Sequence, residues 1–160
     1  MIRNQWYVVL ESKEVGKKHI GVTRMGEKLV FWRNKTGRIS CAVDRCPHRG
    51  VALSLGKLEN DHLQCPFHGF EYDERGVCVL VPANGRGGRI PKSLHLQKYA
   101  TFEDHGFIWI WWGDSPPEDI KAPIFFDNLD DSFVYSSKPD LWNVHYSRAV
   151  ENQLGAATKQ

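Results

Sequence analysis

Two short stretches of the 160-residue chain each offer a cysteine and a histidine: Cys46-Pro47-His48-Arg49-Gly50 and Cys65-Pro66-Phe67-His68-Gly69. Two thiolates and two imidazoles can close a tetrahedral zinc site. The same donors can hold a two-iron, two-sulfur cluster in which one iron takes both thiolates and the other both imidazoles. Spacing alone leaves both open, although one donor of each kind from each loop is what the two-iron arrangement requires. The prolines stiffen the loop backbones, and the glycines beyond the ligands let the chain turn tightly around an inorganic core. Sixteen residues separate His48 from Cys65, room for a hairpin excursion that returns the second loop beside the first.

The elements that must position these loops read as strands. Runs rich in Val, Ile, Phe, Trp and Tyr recur between Gly, Asn, Asp and Pro, the pattern of an all-β domain. The segments Trp6 to Leu10, Lys28 to Trp32, Ile39 to Val43, His62 to Cys65, Phe70 to Asp73, Val77 to Leu80, Tyr99 to Phe102 and Phe107 to Trp111 are predicted strands. Turns are predicted at Asn34-Lys35-Thr36-Gly37, Asp73-Glu74-Arg75-Gly76 and Asp104-His105-Gly106,. In Trp109-Ile110-Trp111-Trp112, alternation puts Trp109 and Trp111 on one face of a strand and Ile110 and Trp112 on the other. At Asp114-Ser115-Pro116-Pro117 the strand pattern breaks, which sets an expected boundary between a domain of residues 1–113 and an extension of residues 114–160,. In the extension, Phe133 to Ser136 reads as a strand and His145 to Leu154 as a helix with Ala149, Val150 and Leu154 as a weak apolar face.

The chain is long enough for one domain with a hydrophobic core. Its 21 basic and 19 acidic residues give a formal charge of +2 and are scattered, with no basic stripe of the kind that binds nucleic acid,. No run approaches the roughly 18 to 20 apolar residues of a membrane span, and Met1-Ile2-Arg3-Asn4-Gln5-Trp6 lacks a signal-peptide core. The expectation is a soluble, cytoplasmic protein with no membrane or nucleic-acid partner. Four cysteines in such a chain point to metal or redox chemistry rather than to disulfides,. Cys41 and Cys78 lie inside apolar stretches and read as core residues. His19, His62, His95 and His105 have no partner at ligand spacing and read as surface residues. Gly85-Arg86-Gly87-Gly88 neither follows a clear strand nor opens a helix, so it reads as a loop rather than a phosphate cradle.

The string Cys65-Pro66-Phe67-His68-Gly69-Phe70-Glu71-Tyr72-Asp73 resembles the second motif of Rieske iron-sulfur proteins, and Cys46-Pro47-His48-Arg49-Gly50 resembles the first. The resemblance implies a Rieske [2Fe-2S] cluster on Cys46, His48, Cys65 and His68, carried by antiparallel sheets with a two-loop cluster-binding subdomain. Rieske proteins of cytochrome bc complexes add a disulfide-bonded cysteine to each loop and a serine after the second glycine. Here those positions fall at Val51 or a neighbour, Phe67 and Phe70. Without the serine hydroxyl, and with Tyr72 as the remaining candidate donor to a sulfur, the potential is expected toward the low end of the Rieske range of roughly −150 to +300 mV.

Arg3-Asn4-Gln5-Trp6-Tyr7-Val8-Val9 and Gly106-Phe107-Ile108-Trp109-Ile110-Trp111-Trp112-Gly113 extend the likeness to the N-terminal domain of Rieske non-haem iron oxygenases, over about the first 113 residues. The branch that includes pheophorbide a oxygenase and the aromatic O-demethylases is the most similar. Trp142 to Leu154 resembles the helix that enters the catalytic domain of these enzymes. Gly155 stands where their bridging aspartate would fall and Thr158 where the first histidine of the iron triad would fall, so no mononuclear iron site and no catalytic residue is expected here. The resemblance implies one-electron transfer, as a carrier or as the Rieske part of a ring-hydroxylating oxygenase, with zinc-held structural packing as the alternative. Implied partners are a reductase or ferredoxin as donor and an oxygenase iron domain as acceptor, with a homo-oligomer allowed.

Overall fold

The computed structural model describes residues 2–85, 87–114, 132, 134, 136, 138 and 140–156. The chain divides into two compact units, Met1–Phe125 and Phe126–Gln160.

The first unit is built on three antiparallel sheets. One holds β1 (Gln5–Glu11), β11 (Phe107–Trp112) and β10 (Thr101–Asp104), with β11 central. The second runs β2 (Ile20–Arg24), β3 (Glu27–Arg33), β4 (Ile39–Val43), β9 (Lys98–Tyr99). The third runs β5 (Lys57–Glu59), β6 (His62–Gln64), β7 (Glu71–Tyr72), β8 (Cys78–Leu80), and lies in sequence wholly between β4 and β9.

β3 shows why the second sheet is the middle layer. Leu29, Val30, Phe31 and Trp32 are all fully buried, so neither face of the strand meets water. Alternation sends Val30 and Trp32, with Ala42 of β4, into a core shared with Leu63, Tyr72 and Cys78 of the third sheet,. Leu29 and Phe31, with Cys41 of β4, enter a second core with Ile108, Ile110 and Trp112 of β11. Trp109 and Trp111 point the other way along β11, as alternation requires. Trp111 meets the edge of Trp6 at 5.7 Å.

The predicted strand Tyr99 to Phe102 is two strands. Tyr99 pairs with Cys41 in the middle sheet, whereas Thr101 pairs with Ile110 in the first. The chain crosses between layers at Ala100, whose carbonyl accepts from Trp111 N–H at 3.0 Å. Arg33 ties the layers again through two bonds to the Glu103 carboxylate, at 2.6 and 2.7 Å, while its Nε donates to the Val15 carbonyl.

The three predicted turns form. Gly37 and Gly76 donate to the carbonyls of Asn34 and Asp73, both at 2.9 Å, and His105 and Gly106 take left-handed φ values of 49° and 76°. In the second unit a helix, α1, spans Tyr146–Ala156, and His145 meets the Ser147 hydroxyl at 2.9 Å ahead of its first turn. Ala149 is half-buried and Val150 exposed. Phe133 and Tyr135 of the predicted strand Phe133 to Ser136 lie outside the described residues, and Val134 and Ser136 are not in a strand; beyond the expected boundary at residue 113, residues 115–131 also lie outside them. No helix among those described is long and apolar enough to cross a membrane.

Candidate metal centre

The two Cys/His loops close in the same way. In the first, Gly50 N–H donates to the Cys46 carbonyl at 2.8 Å and Cys46 N–H to the Val51 carbonyl at 2.8 Å. In the second, Gly69 N–H donates to the Cys65 carbonyl at 3.1 Å and Cys65 N–H to the Phe70 carbonyl at 2.8 Å. Gly50 and Gly69 have φ of 74° and 71°, a conformation any side chain would strain,. Each loop thus presents its cysteine at the base and its histidine toward the tip.

The loops leave from anchored points. Cys46 follows Asp44, a buried carboxylate that accepts from Ser54 N–H at 2.7 Å and from the Ser54 hydroxyl at 2.5 Å. Cys65 follows β6 and leads back into β7, so the second loop is the connection of a β-hairpin.

Between them the loops sort donors by chemistry. Cys46 and Cys65 are each 2% exposed, and Cys46 is near enough to help raise the Cys65 thiol. His48 and His68 pair nearer the surface with ring centroids 4.7 Å apart. A thiol pair beneath an imidazole pair suits an elongated two-metal group better than a lone tetrahedral ion.

The surroundings of the sulfurs also fit. Burial pushes the Cys65 thiol up, and the backbone N–H groups of Phe67 and His68 act against this by donating to its sulfur. The Tyr72 hydroxyl lies 3.2 Å from Cys46 Sγ. Burial, then the bond to Cys46, raises the Tyr72 phenol far above its ordinary value, so it remains a donor,. Desolvation, followed by the neighbouring His68 and Arg49, lowers the His48 imidazole. Phe70 lies flat against the His48 ring.

A model of the Rieske [2Fe-2S] domain matches residues 5–100. The chain belongs to the Rieske [2Fe-2S] domain family. The Rieske chain is 40% identical to the oxygenase component of dicamba O-demethylase from Stenotrophomonas maltophilia, over 96% of its own length and 45% of the relative. It is 38% identical to the vanillate O-demethylase oxygenase subunit of a Pseudomonas species, over 80% and 34% of the two chains. It is 32% identical to the chloroplastic protein TIC 55 of Arabidopsis thaliana, over 96% and 29%. The crystal structure of apo dicamba monooxygenase superposes with a TM-score of 0.67 at 39% identity, over 75% of this chain and 38% of that one. The chain therefore spans less than half the length of these relatives and matches the Rieske-domain part of longer Rieske oxygenase chains. The expected all-β fold and [2Fe-2S] cofactor hold, and nothing supports the zinc-held alternative.

Other candidate residues separate from the site. Cys41 and Cys78 are buried as expected, Cys41 in the core shared with the first sheet and Cys78 in the core that carries Cys46 and Cys65. Burial raises the Cys78 thiol to about 11. His19, His62, His95 and His105 are half-buried rather than exposed. His19 meets the Ser54 carbonyl at 3.1 Å, His62 the Glu71 carboxylate at 3.2 Å, His95 accepts from Cys78 N–H at 3.1 Å, and His105 lies 3.1 Å from Asp104. Gly85 closes a short 3₁₀ turn and is left-handed, as is Gly87, in keeping with a loop. Motif reading did not single out Phe70 as a neighbour of His48, because the contact joins residues of two different loops.

Proposed function

We propose that Cys46, His48, Cys65 and His68 hold the [2Fe-2S] cluster, both cysteines on one iron and both histidines on the other, and that this chain is the electron-transferring part of an oxygenase of the O-demethylase kind. The pairing of two buried thiols beneath two adjacent imidazoles carries this reading. When bound, the cluster supplies a one-electron couple. The chain's own residues keep water from the sulfurs, direct the N–H groups of Phe67 and His68 and the hydroxyl of Tyr72 at them, and bring the imidazoles to the surface, where an electron can pass to another protein.

The donor is a reductase or ferredoxin and the acceptor an oxygenase iron domain. Relatives named as the oxygenase component, oxygenase subunit or iron-sulfur subunit of their systems support this reading. Arg45 and Arg49, exposed beside His48, suit an acidic partner face,. Residues 114–160 are a linker and the start of a catalytic domain. Leu141, Trp142, Val144, Tyr146 and Val150 are exposed there and are what such a segment would bury against the rest of that domain. Four unpaired cysteines suit a reducing compartment such as the cytoplasm,.

The test is absorption and low-temperature electron paramagnetic resonance (EPR) of anaerobically purified, dithionite-reduced protein. A red-brown protein with a rhombic signal averaging below the free-electron value is expected. A colourless protein with stoichiometric zinc would sink the assignment.

A further inference from the structure

The two imidazoles of the site are held differently. The Phe70 ring lies parallel to that of His48, with centroids 4.7 Å apart and planes within 4°. Phe70 is 6% exposed and belongs to the core that includes Cys46, Cys65, Tyr72 and Trp32, so packing fixes its ring from behind. The contact crosses from the second loop to the first, and therefore couples His48 to the base of the opposite loop. Among the described residues His68 has no such flat backing. Its ring neighbours are His48, tilted by 59°, and Phe67, tilted by 40° and itself 58% exposed.

A histidine ring has a broad torsional well about its second side-chain bond, so a single bond to a metal leaves its plane loosely set. A buried aromatic surface lying flat on the ring removes that freedom and excludes water from one face. Resting on the ligand assignment above, we infer that Phe70 is a positioning residue for His48. It sets the plane of this imidazole at the metal and makes the two histidine ligands inequivalent, His48 rigid and His68 adjustable.

The experiment is pulsed EPR of the reduced, cluster-loaded protein, which reads the nitrogen hyperfine couplings of the histidine ligands. Wild type is compared with Phe70→Leu, Phe70→Met and Phe70→Tyr. Leucine and methionine keep the site apolar but supply no flat ring, whereas tyrosine keeps the ring. The expected result is two nitrogen sets in wild type, with one set shifted and broadened in the leucine and methionine variants, the other unchanged, and the wild-type pattern restored by tyrosine. Spectra of the aliphatic variants that superpose on wild type would overturn the inference, and so would equal broadening of both sets. If neither aliphatic variant assembles a cluster, assembly in Phe70→Tyr supports the ring requirement, and failure there too reduces Phe70 to a packing residue. Wild-type spectra without two nitrogen couplings would instead refute the ligand assignment.

Discussion

The hydrogen bond from Tyr72 to Cys46 gives the sharpest handle on the site. Tyr72→Phe deletes one oxygen from a ring that is fully buried and leaves its packing intact. The Oη to Sγ distance is 3.2 Å, and once Cys46 is a thiolate only the phenol can donate,. The reduced cluster carries one more negative charge than the oxidised cluster, so a donor at a ligand sulfur stabilises the reduced state more. Taking that difference as about the net worth of one protein hydrogen bond, 0.5–1.5 kcal/mol, and about 59 mV per tenfold change in a one-electron equilibrium, the variant's potential should fall by roughly 20–60 mV. Spectroelectrochemical titration of both proteins in one buffer reads this directly, and matching circular dichroism spectra show that the fold is unchanged. A potential that stays put or rises in Tyr72→Phe would refute the reasoning, because it would mean that the hydroxyl does not reach the sulfur in the loaded protein.

Other outcomes are equally checkable. Cys46→Ala and Cys65→Ala should each abolish the cluster, seen as loss of iron and visible absorption, whereas His68→Cys should keep a cluster at lower potential because a thiolate adds negative charge. Gly56→Ala puts a Cβ 2.0 Å from the Gln64 carbonyl oxygen and 3.0 Å from that of Leu53. The backbone must move, and urea unfolding should show a loss of about 1–3 kcal/mol. The hydrogen bonds from Arg33 hold the Glu103 carboxyl below its ordinary value of 4.5. Stability from that pair is complete above the unfolded value and lost as pH falls through the lower folded one. Glu103→Gln should therefore melt earlier at neutral pH, by about 1–2 kcal/mol of stability, with the gap to wild type closing below about pH 4.5.

The ligand loops were legible because everything that defines them is local: a cysteine, a proline and a histidine within four residues, closed by a glycine. The long strands were legible for a similar reason, since Leu29 to Trp32 and Ile108 to Trp112 are apolar on both faces and can only be buried strands. β2 escaped notice because Gly21 interrupts Ile20-Gly21-Val22-Thr23-Arg24. The glycine is there for packing, as a Cβ on it would stand 2.5 Å from Ser54 Cβ. β5 carries a single apolar residue, Leu58, and exists because it pairs with β6 across Asn60 and Asp61, both left-handed at φ of 51° and 66°. That dipeptide is a hairpin signal the sequence does contain. Nothing local marks Ala100 as a crossing point, since its role depends on β4 and β11 lying in different layers. The half-buried histidines were likewise set by tertiary partners, such as the Ser54 carbonyl for His19.

The position of the third sheet in the chain explains how a fragile two-loop site coexists with a firm frame. β4 and β9 pair with each other, Cys41 opposite Tyr99, so the strand that departs toward the site and the strand that returns from it are neighbours. Everything between them is an insertion whose ends are already held together, and the frame's core of Leu29, Phe31, Ile108 and Ile110 contains none of its side chains. The loops can therefore be shaped by what they must hold, with left-handed glycines and buried thiols, without compromising the sandwich. The middle sheet also transmits rigidity. Trp32 and Val30 press on the same core as Cys46, Cys65 and Phe70, so the surface that fixes the His48 ring is anchored on the strand that is most deeply buried. The setting of the His48 ring thus draws on β3, in the middle layer, through Phe70 at the base of the opposite loop.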